Sequence, residues 1–123
     1  MIPPAVKIDG CAVADNTFRD GDKVWNVPSL IARAKDLAPF DLPLAAICSG
    51  SNVWTPVGSA YEIAHHVRRA LDVDTSYPVI LDETGFIMDG WHRVLRALID
   101  DKATIKAVRF DKTPPHDYER PAP

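Results

Sequence analysis

Tyr77-Pro78-Val79-Ile80-Leu81-Asp82-Glu83-Thr84-Gly85-Phe86-Ile87-Met88-Asp89-Gly90-Trp91-His92-Arg93-Val94-Leu95 is the stretch whose reading decides the fold. Pro78 opens the unbroken, largely β-branched run Val79-Ile80-Leu81, which has the composition of a buried strand. Glu83-Thr84-Gly85 supplies a hairpin connection, with a glycine available for a positive φ. Phe86-Ile87-Met88 returns as the partner strand. Asp89-Gly90 closes it, and Trp91 opens a helix on which Trp91, Val94, Leu95 and Leu98 follow the i, i+3, i+4, i+7 spacing of one buried face. Strand, hairpin, strand and docked helix specify an α/β (α+β) domain built on a small mixed sheet.

Working outward, Thr104 to Phe110 alternates apolar and polar side chains, so one face packs and the other meets solvent. That pattern places the strand at or near a sheet edge. Upstream, Ser59 and Glu62 form a Ser-x-x-Glu capping box, and Ile63, Ala64, Val67 and Leu71 repeat along one helix face. His65, His66, Arg68 and Arg69 fall in or near the last turns, where the dipole favours positive charge, and read as a solvated helix end. Pro28 to Ala38 gives the earliest of about three helices, with Leu30, Ala34, Leu37 and Ala38 on its buried stripe and Pro39 as its stop. Leu42 to Cys48 reads as a strand, followed by the loop Cys48-Ser49-Gly50-Ser51-Asn52.

A chain of 123 residues, 46% hydrophobic and 25% charged, has the size and balance of one globular domain. No apolar run is long enough to span a membrane, and the start Met1-Ile2-Pro3-Pro4 lacks the order of a secretory signal, so a cytoplasmic location without a membrane partner is expected. Cys11 and Cys48 have no Cys-x-x-Cys spacing and read as reduced thiols. A net charge of -3 argues against a chain whose main task is a non-specific grip on nucleic acid. Proline lacks a backbone donor, so the stretches holding Pro3, Pro4, Pro114, Pro115, Pro121 and Pro123 read as tails or extended arms. The packed unit is expected from about Lys23 to about Asp111, within a single domain of residues 1–123.

The chemistry points to the strand-helix corner. Exposed N–H groups at a helix start, the positive dipole end and the basic side chains of His92 and Arg93 would together hold an anion, with phosphate the natural guest. Gly90 lets an oxygen approach the backbone, and Arg93 offers a forked pair of donors. Asp89 reads first as a helix cap, and second as a carboxylate for magnesium or for a substrate proton. Glu83 reads first as a solvated turn residue and second as a base. His92 with Asp89 falls short of a structural zinc set, so no metal ligand is assigned.

The run from Tyr77 to Ala97, and above all Asp89-Gly90-Trp91-His92-Arg93, resembles the core of the ParB/sulfiredoxin superfamily, with a likeness that extends over about Tyr61 to Phe110. The resemblance implies a nucleotide-binding fold taking a nucleoside triphosphate, ATP or CTP with magnesium. Gly90, Trp91, His92 and Arg93 would then form the cofactor-binding corner, and Asp89, His92 and Glu83 would be the catalytic candidates of a nucleotide hydrolase or phosphotransferase. Sulfiredoxins carry a catalytic cysteine where this chain has Trp91, which argues against reductase chemistry. Partition proteins carry glutamate and arginine at the positions of Trp91 and His92, an upstream arginine box and a following helix-turn-helix domain, none of which is visible here. The alternatives are a non-catalytic plasmid- or phage-associated module that contacts DNA or a partner protein, and a metal-dependent nuclease.

Overall fold

The computed structural model describes residues 17–47 and 58–121. Cys11, Cys48 and the loop through Asn52 lie outside the described residues. The domain is α+β, with three helices and a mixed sheet.

The decisive stretch forms the expected strands, hairpin and helix, but the helix buries Val94 and Ala97 and leaves Leu98, expected on the same inner face, 45% exposed. Strand β4 (Val79–Leu81) and strand β5 (Ile87–Asp89) pair antiparallel, with a register irregularity at Ile80/Leu81. Gly85 takes φ +93 in the connection, and the Asp82 carboxylate accepts from Thr84 N, Thr84 Oγ1 and Phe86 N, fixing the turn. Helix α3 (Trp91–Ile99) follows, and the chain returns in β6 (Thr104–Arg109), parallel to β4. Strand β3 (Phe40–Pro43) pairs antiparallel with the far side of β6, giving the order β3-β6-β4-β5.

β6 is therefore interior, not at an edge. Ala107 and Val108 point to opposite faces and are both buried, because both faces of the sheet are covered. Val79, Leu81, Ile87 and Ala107 meet Val94 and Ala97 of α3, while Ile80, Met88 and Val108 meet Trp25, Leu30 and Ala34. Trp25 belongs to a second sheet, β1 (Thr17–Asp20), β2 (Lys23–Asn26) and β7 (Tyr118–Glu119), in the antiparallel order β1-β2-β7.

Other expectations need correction. Helix α1 spans Val27–Ala34, shorter than the expected Pro28 to Ala38, because Leu37 N turns back to Ala34 O and Pro39 disfavours helical backbone at Ala38. The strand expected from Leu42 begins earlier and stops at Pro43, where the chain enters a 3-10 turn over Leu44–Ala46. The packed unit also extends beyond both of its expected limits, because β1 precedes Lys23 and residues 113–120 form a strap on β2 and α1. Prolines cannot donate, but their carbonyls accept: Trp25 Nε1 donates to Pro114 O at 2.8 Å and Arg33 Nη1 to Pro115 O at 3.2 Å. Asp117 accepts from Asn26 N and Ser29 Oγ at the start of α1, and its own N–H pairs with Val24 O.

Helix α2 (Ala60–Asp72) carries the expected capping box, with Glu62 N donating to Ser59 Oγ at 3.1 Å. Its inward face is not the expected one. Ile63 and Leu71 are about half exposed, at 51% and 48%, while Ala70 is fully buried and the His65 and His66 side chains are partly covered. The helix rests on α3 rather than on the sheet, which rotates a different stripe inward.

Candidate functional site

Asp89, Gly90, Trp91, His92 and Arg93 do gather at one corner, where β5 ends and α3 begins. Gly90 is the N-cap of α3, in the left-handed region at φ +112, and its carbonyl accepts from Arg93 N and Val94 N. A Cβ there would lie 2.9 Å from Arg93 Nη1 and 3.0 Å from Val79 Cγ2. The open side of the glycine is filled by the protein's own atoms.

Arg93 is committed in the same way. Nη1 donates to Pro78 O at 2.7 Å, and Nη2 donates to Asp89 Oδ2 at 3.2 Å, with both side chains mostly shielded from solvent. This i, i+4 pair explains Asp89, whose carboxylate faces Arg93 while the capping position falls to Gly90. Trp91 is half-buried and packs against the cluster of Val79, Leu81 and Val94.

His92 turns toward α2. Its Nε2 lies 2.9 Å from His66 Nδ1, and the two rings stack with centroids 5.2 Å apart and 19° between planes. His65 meets His66 edge-on at 5.2 Å. Burial pushes the His92 imidazole down to about 3, reinforced by the charges of Arg69, His66, His65 and Arg93. Burial also lowers His66, aided by His65 and Arg69 and opposed by Glu62. At neutral pH both rings are uncharged, so one donates its N–H to the other. The helix end read from sequence as solvated is thus a packed imidazole contact. The pairing joins residues 26 positions apart, which no local pattern signals.

Glu83 is not part of this corner. It sits at the tip of the β4–β5 hairpin, at the opposite end of β5 from Asp89. There its N–H donates to Thr113 Oγ1 at 3.0 Å, and its carbonyl accepts from the Arg109 guanidinium.

Among the described residues, clefts lie on opposite faces of the four-stranded sheet, one beside α3 and one beside Trp25 and Met88. The first, about 380 Å³, runs between α3 and β6 and presents Arg93, Arg96, Lys102 and Lys106 with the hydroxyls of Thr75 and Thr104. Its two carboxylates are paired, Asp100 with Arg96 Nε at 2.8 Å and Asp41 with Lys106 Nζ at 2.7 Å. Of the sequence-derived site residues only Arg93 lines it. Sequence reasoning missed Arg96, Lys102 and Lys106, although the i, i+3 spacing of Arg93 and Arg96 on α3 was a visible signal. The second cleft, about 470 Å³, opens beside Glu83. Among the described residues no group of three or more His, Cys, Asp or Glu side chains is placed to hold a metal ion, and no helix is long and apolar enough to cross a membrane. Comparison of the chain with family models, curated proteins and solved structures gives no match.

Proposed function

We propose that this chain is a ParB/sulfiredoxin-like domain that binds the phosphates of a nucleotide in the cleft between α3 and β6. The supporting observation is the lining of that cleft, which gathers four cationic residues and two carboxylates, each carboxylate paired with one of the cations, around a space large enough for a small ligand. Lys102 and Lys106 would take the phosphate oxygens, Arg93 and Arg96, both held by protein acceptors, would lend fixed positive charge, and Thr75 and Thr104 offer hydroxyls. Magnesium would arrive with the triphosphate and neutralise part of its charge. This placement moves the ligand away from the amides behind Gly90, whose carbonyl and open side are already engaged by protein atoms. The support extends to binding. Asp89 is held by Arg93, Glu83 lies at the far end of β5, and the two carboxylates of the cleft itself, Asp41 and Asp100, are paired with Lys106 and Arg96.

A thermal-shift series with ATP, CTP and inorganic phosphate, with and without magnesium, tests the reading. At a ligand concentration about tenfold above Kd, mass action stabilises the fold by about 1.4 kcal/mol, a rise of roughly 5 °C for a domain of this size. Lys102→Ala combined with Lys106→Ala should remove that rise while leaving the melting temperature without nucleotide little changed. A rise that survives the double substitution, or no rise with any nucleotide at millimolar concentration, overturns the proposal. An equal rise with short duplex DNA that falls steeply with salt would favour the DNA-contacting alternative.

A further inference from the structure

The cleft beside Glu83 carries the opposite excess of charge from the one between α3 and β6. Phe18, Trp25, Met88 and Pro114 give it an apolar and aromatic part within a lining that is otherwise polar, with Phe86 standing at the rim. Phe86 is 72% exposed, the most exposed large apolar side chain among the described residues, and the hairpin geometry requires only the Asp82 turn and Gly85 beside it. Asp20, Asp82 and Glu83 bring three carboxylates to the same opening, against the ammonium of Lys23 and the imidazole of His116, which lies edge-on to Trp25 with its Nε2 3.3 Å from Glu119 Oε1. Asp20 takes part in no ion pair among the described residues, although Lys23 is its cross-strand neighbour. Asp82 spends one oxygen, Oδ1, on its turn.

We infer that this cleft binds the guanidinium group of an arginine side chain presented by a partner polypeptide. Aromatic faces attract cations through their quadrupole, and a guanidinium is planar, weakly hydrated and suited to stacking on a ring while donating to carboxylates. Its aliphatic stem would lie against the partly exposed Phe18 and Pro114, as long basic side chains commonly do on apolar surface. The volume of about 470 Å³ admits one such side chain with its flanking backbone, and the exposed rim residues Asp20, Glu83 and Phe86 leave the mouth open to a chain passing across it. A phosphate ligand is excluded by the surplus of carboxylates. The floor is rigid, because Trp25 Nε1 is anchored to Pro114 O and the strap holds the hairpin through Thr113 and Glu83.

The test titrates the full chain with three short peptides alike but for a central arginine, lysine or glutamate, and with free arginine, reading two-dimensional amide NMR shifts. The arginine peptide should give saturable shifts at Phe18, Trp25, Phe86 and Thr113, the lysine peptide should bind more weakly, and the glutamate peptide should not bind. Phe86→Ala and Asp20→Asn change exposed side chains and should leave the fold intact, yet each should weaken the arginine peptide roughly three- to fivefold. Free arginine binding as tightly as the peptide would overturn the polypeptide partner. Absence of saturation, equal binding of the glutamate peptide, or affinity unchanged in both variants would overturn the site. None of these outcomes bears on the nucleotide shift, which is read at Lys102 and Lys106 on the opposite face.

Discussion

The contact between His66 and His92 should make the domain lose stability in mild acid. The perturbation is a change from about pH 7.5 to about pH 5, and the groups facing the pair are His65, Arg69 and Glu62 from α2 and Arg93 from α3. His92 is held down at about 3 in the fold against an ordinary value of 6.5, so the native state disfavours its proton. Below 6.5 the unfolded chain binds more protons than the native one, and stability rises with pH there. The stabilisation is complete above 6.5 and drains away as pH falls toward 3. At about pH 5 the full shift would cost about 2 kcal/mol, and because His92 is only partly buried, solvent screening reduces this to about 1 kcal/mol. His66 is shifted in the same direction and adds to the loss. Urea unfolding at several pH values should therefore show a midpoint falling between about pH 7 and pH 5, with an unchanged slope. His92→Gln keeps a hydrogen-bonding group near His66 but removes the titration, and should lose more than half of the dependence. A wild-type midpoint flat across this range, or an undiminished dependence in the variant, would refute the reasoning. The Asp74 carboxyl, held low by its bonds from Ser76, titrates below this window and does not confuse it.

Gly90→Ala should destabilise the fold by about 2–4 kcal/mol in urea unfolding, since the left-handed backbone and the approach of Arg93 Nη1 and Val79 both oppose a Cβ. Trp25→Phe keeps an aromatic ring but removes the donor to Pro114 O, and should cost about 1 kcal/mol while speeding hydrogen exchange at the Asp117 and Arg120 amides that tie the strap to β2. Leu30→Ala, at a fully buried position, should cost about 2–5 kcal/mol, whereas Ile63→Ala on the exposed stripe of α2 should cost less than about 1 kcal/mol. Equal costs at these last two positions would mean that α2 buries the face suggested by its periodicity.

The hairpin from Val79 to Asp89, the glycine before α3 and the Ser59 cap were legible because each is decided within a few residues. Composition, turn chemistry and capping all agree at those places. The position of β6 was not legible in the same way. Its alternation describes side-chain polarity, but whether the strand is central depends on β3 arriving from far earlier in the chain to occupy its second side. The strap failed for another reason. Its prolines were read for the donors they lack, while the fold uses the acceptors they retain, and Asp117, which bonds the start of α1, lies 91 positions from its partner Asn26. At the β5–α3 corner, spacing placed Asp89, Gly90 and Arg93 side by side, but spacing could not say that they would satisfy one another.

That mutual satisfaction determines which cations a phosphate would recruit. To turn toward a ligand, Arg93 must release Pro78 O and Asp89, and its bonds are part-buried, so leaving those acceptors unpaired costs on the order of 1–3 kcal/mol each. The ion pairs nearer the cleft mouth are different. Lys106 and Asp41 are each more than half exposed, and Arg96 and Asp100 are partly so. Exposed pairs of this kind contribute about 0–1 kcal/mol, so exchanging Asp41 for a phosphate at Lys106 costs little, whereas Arg96 also donates Nη1 to Leu71 O at 2.6 Å and is tied down as Arg93 is. Lys102 takes part in no ion pair among the described residues and needs no release at all. An incoming anion would therefore be gripped first by Lys102, then by Lys106, with Arg96 and Arg93 acting through their charge while remaining in place. An Arg93 substitution accordingly reports on the integrity of the β5–α3 corner, and the lysines are the positions at which ligand affinity can be read.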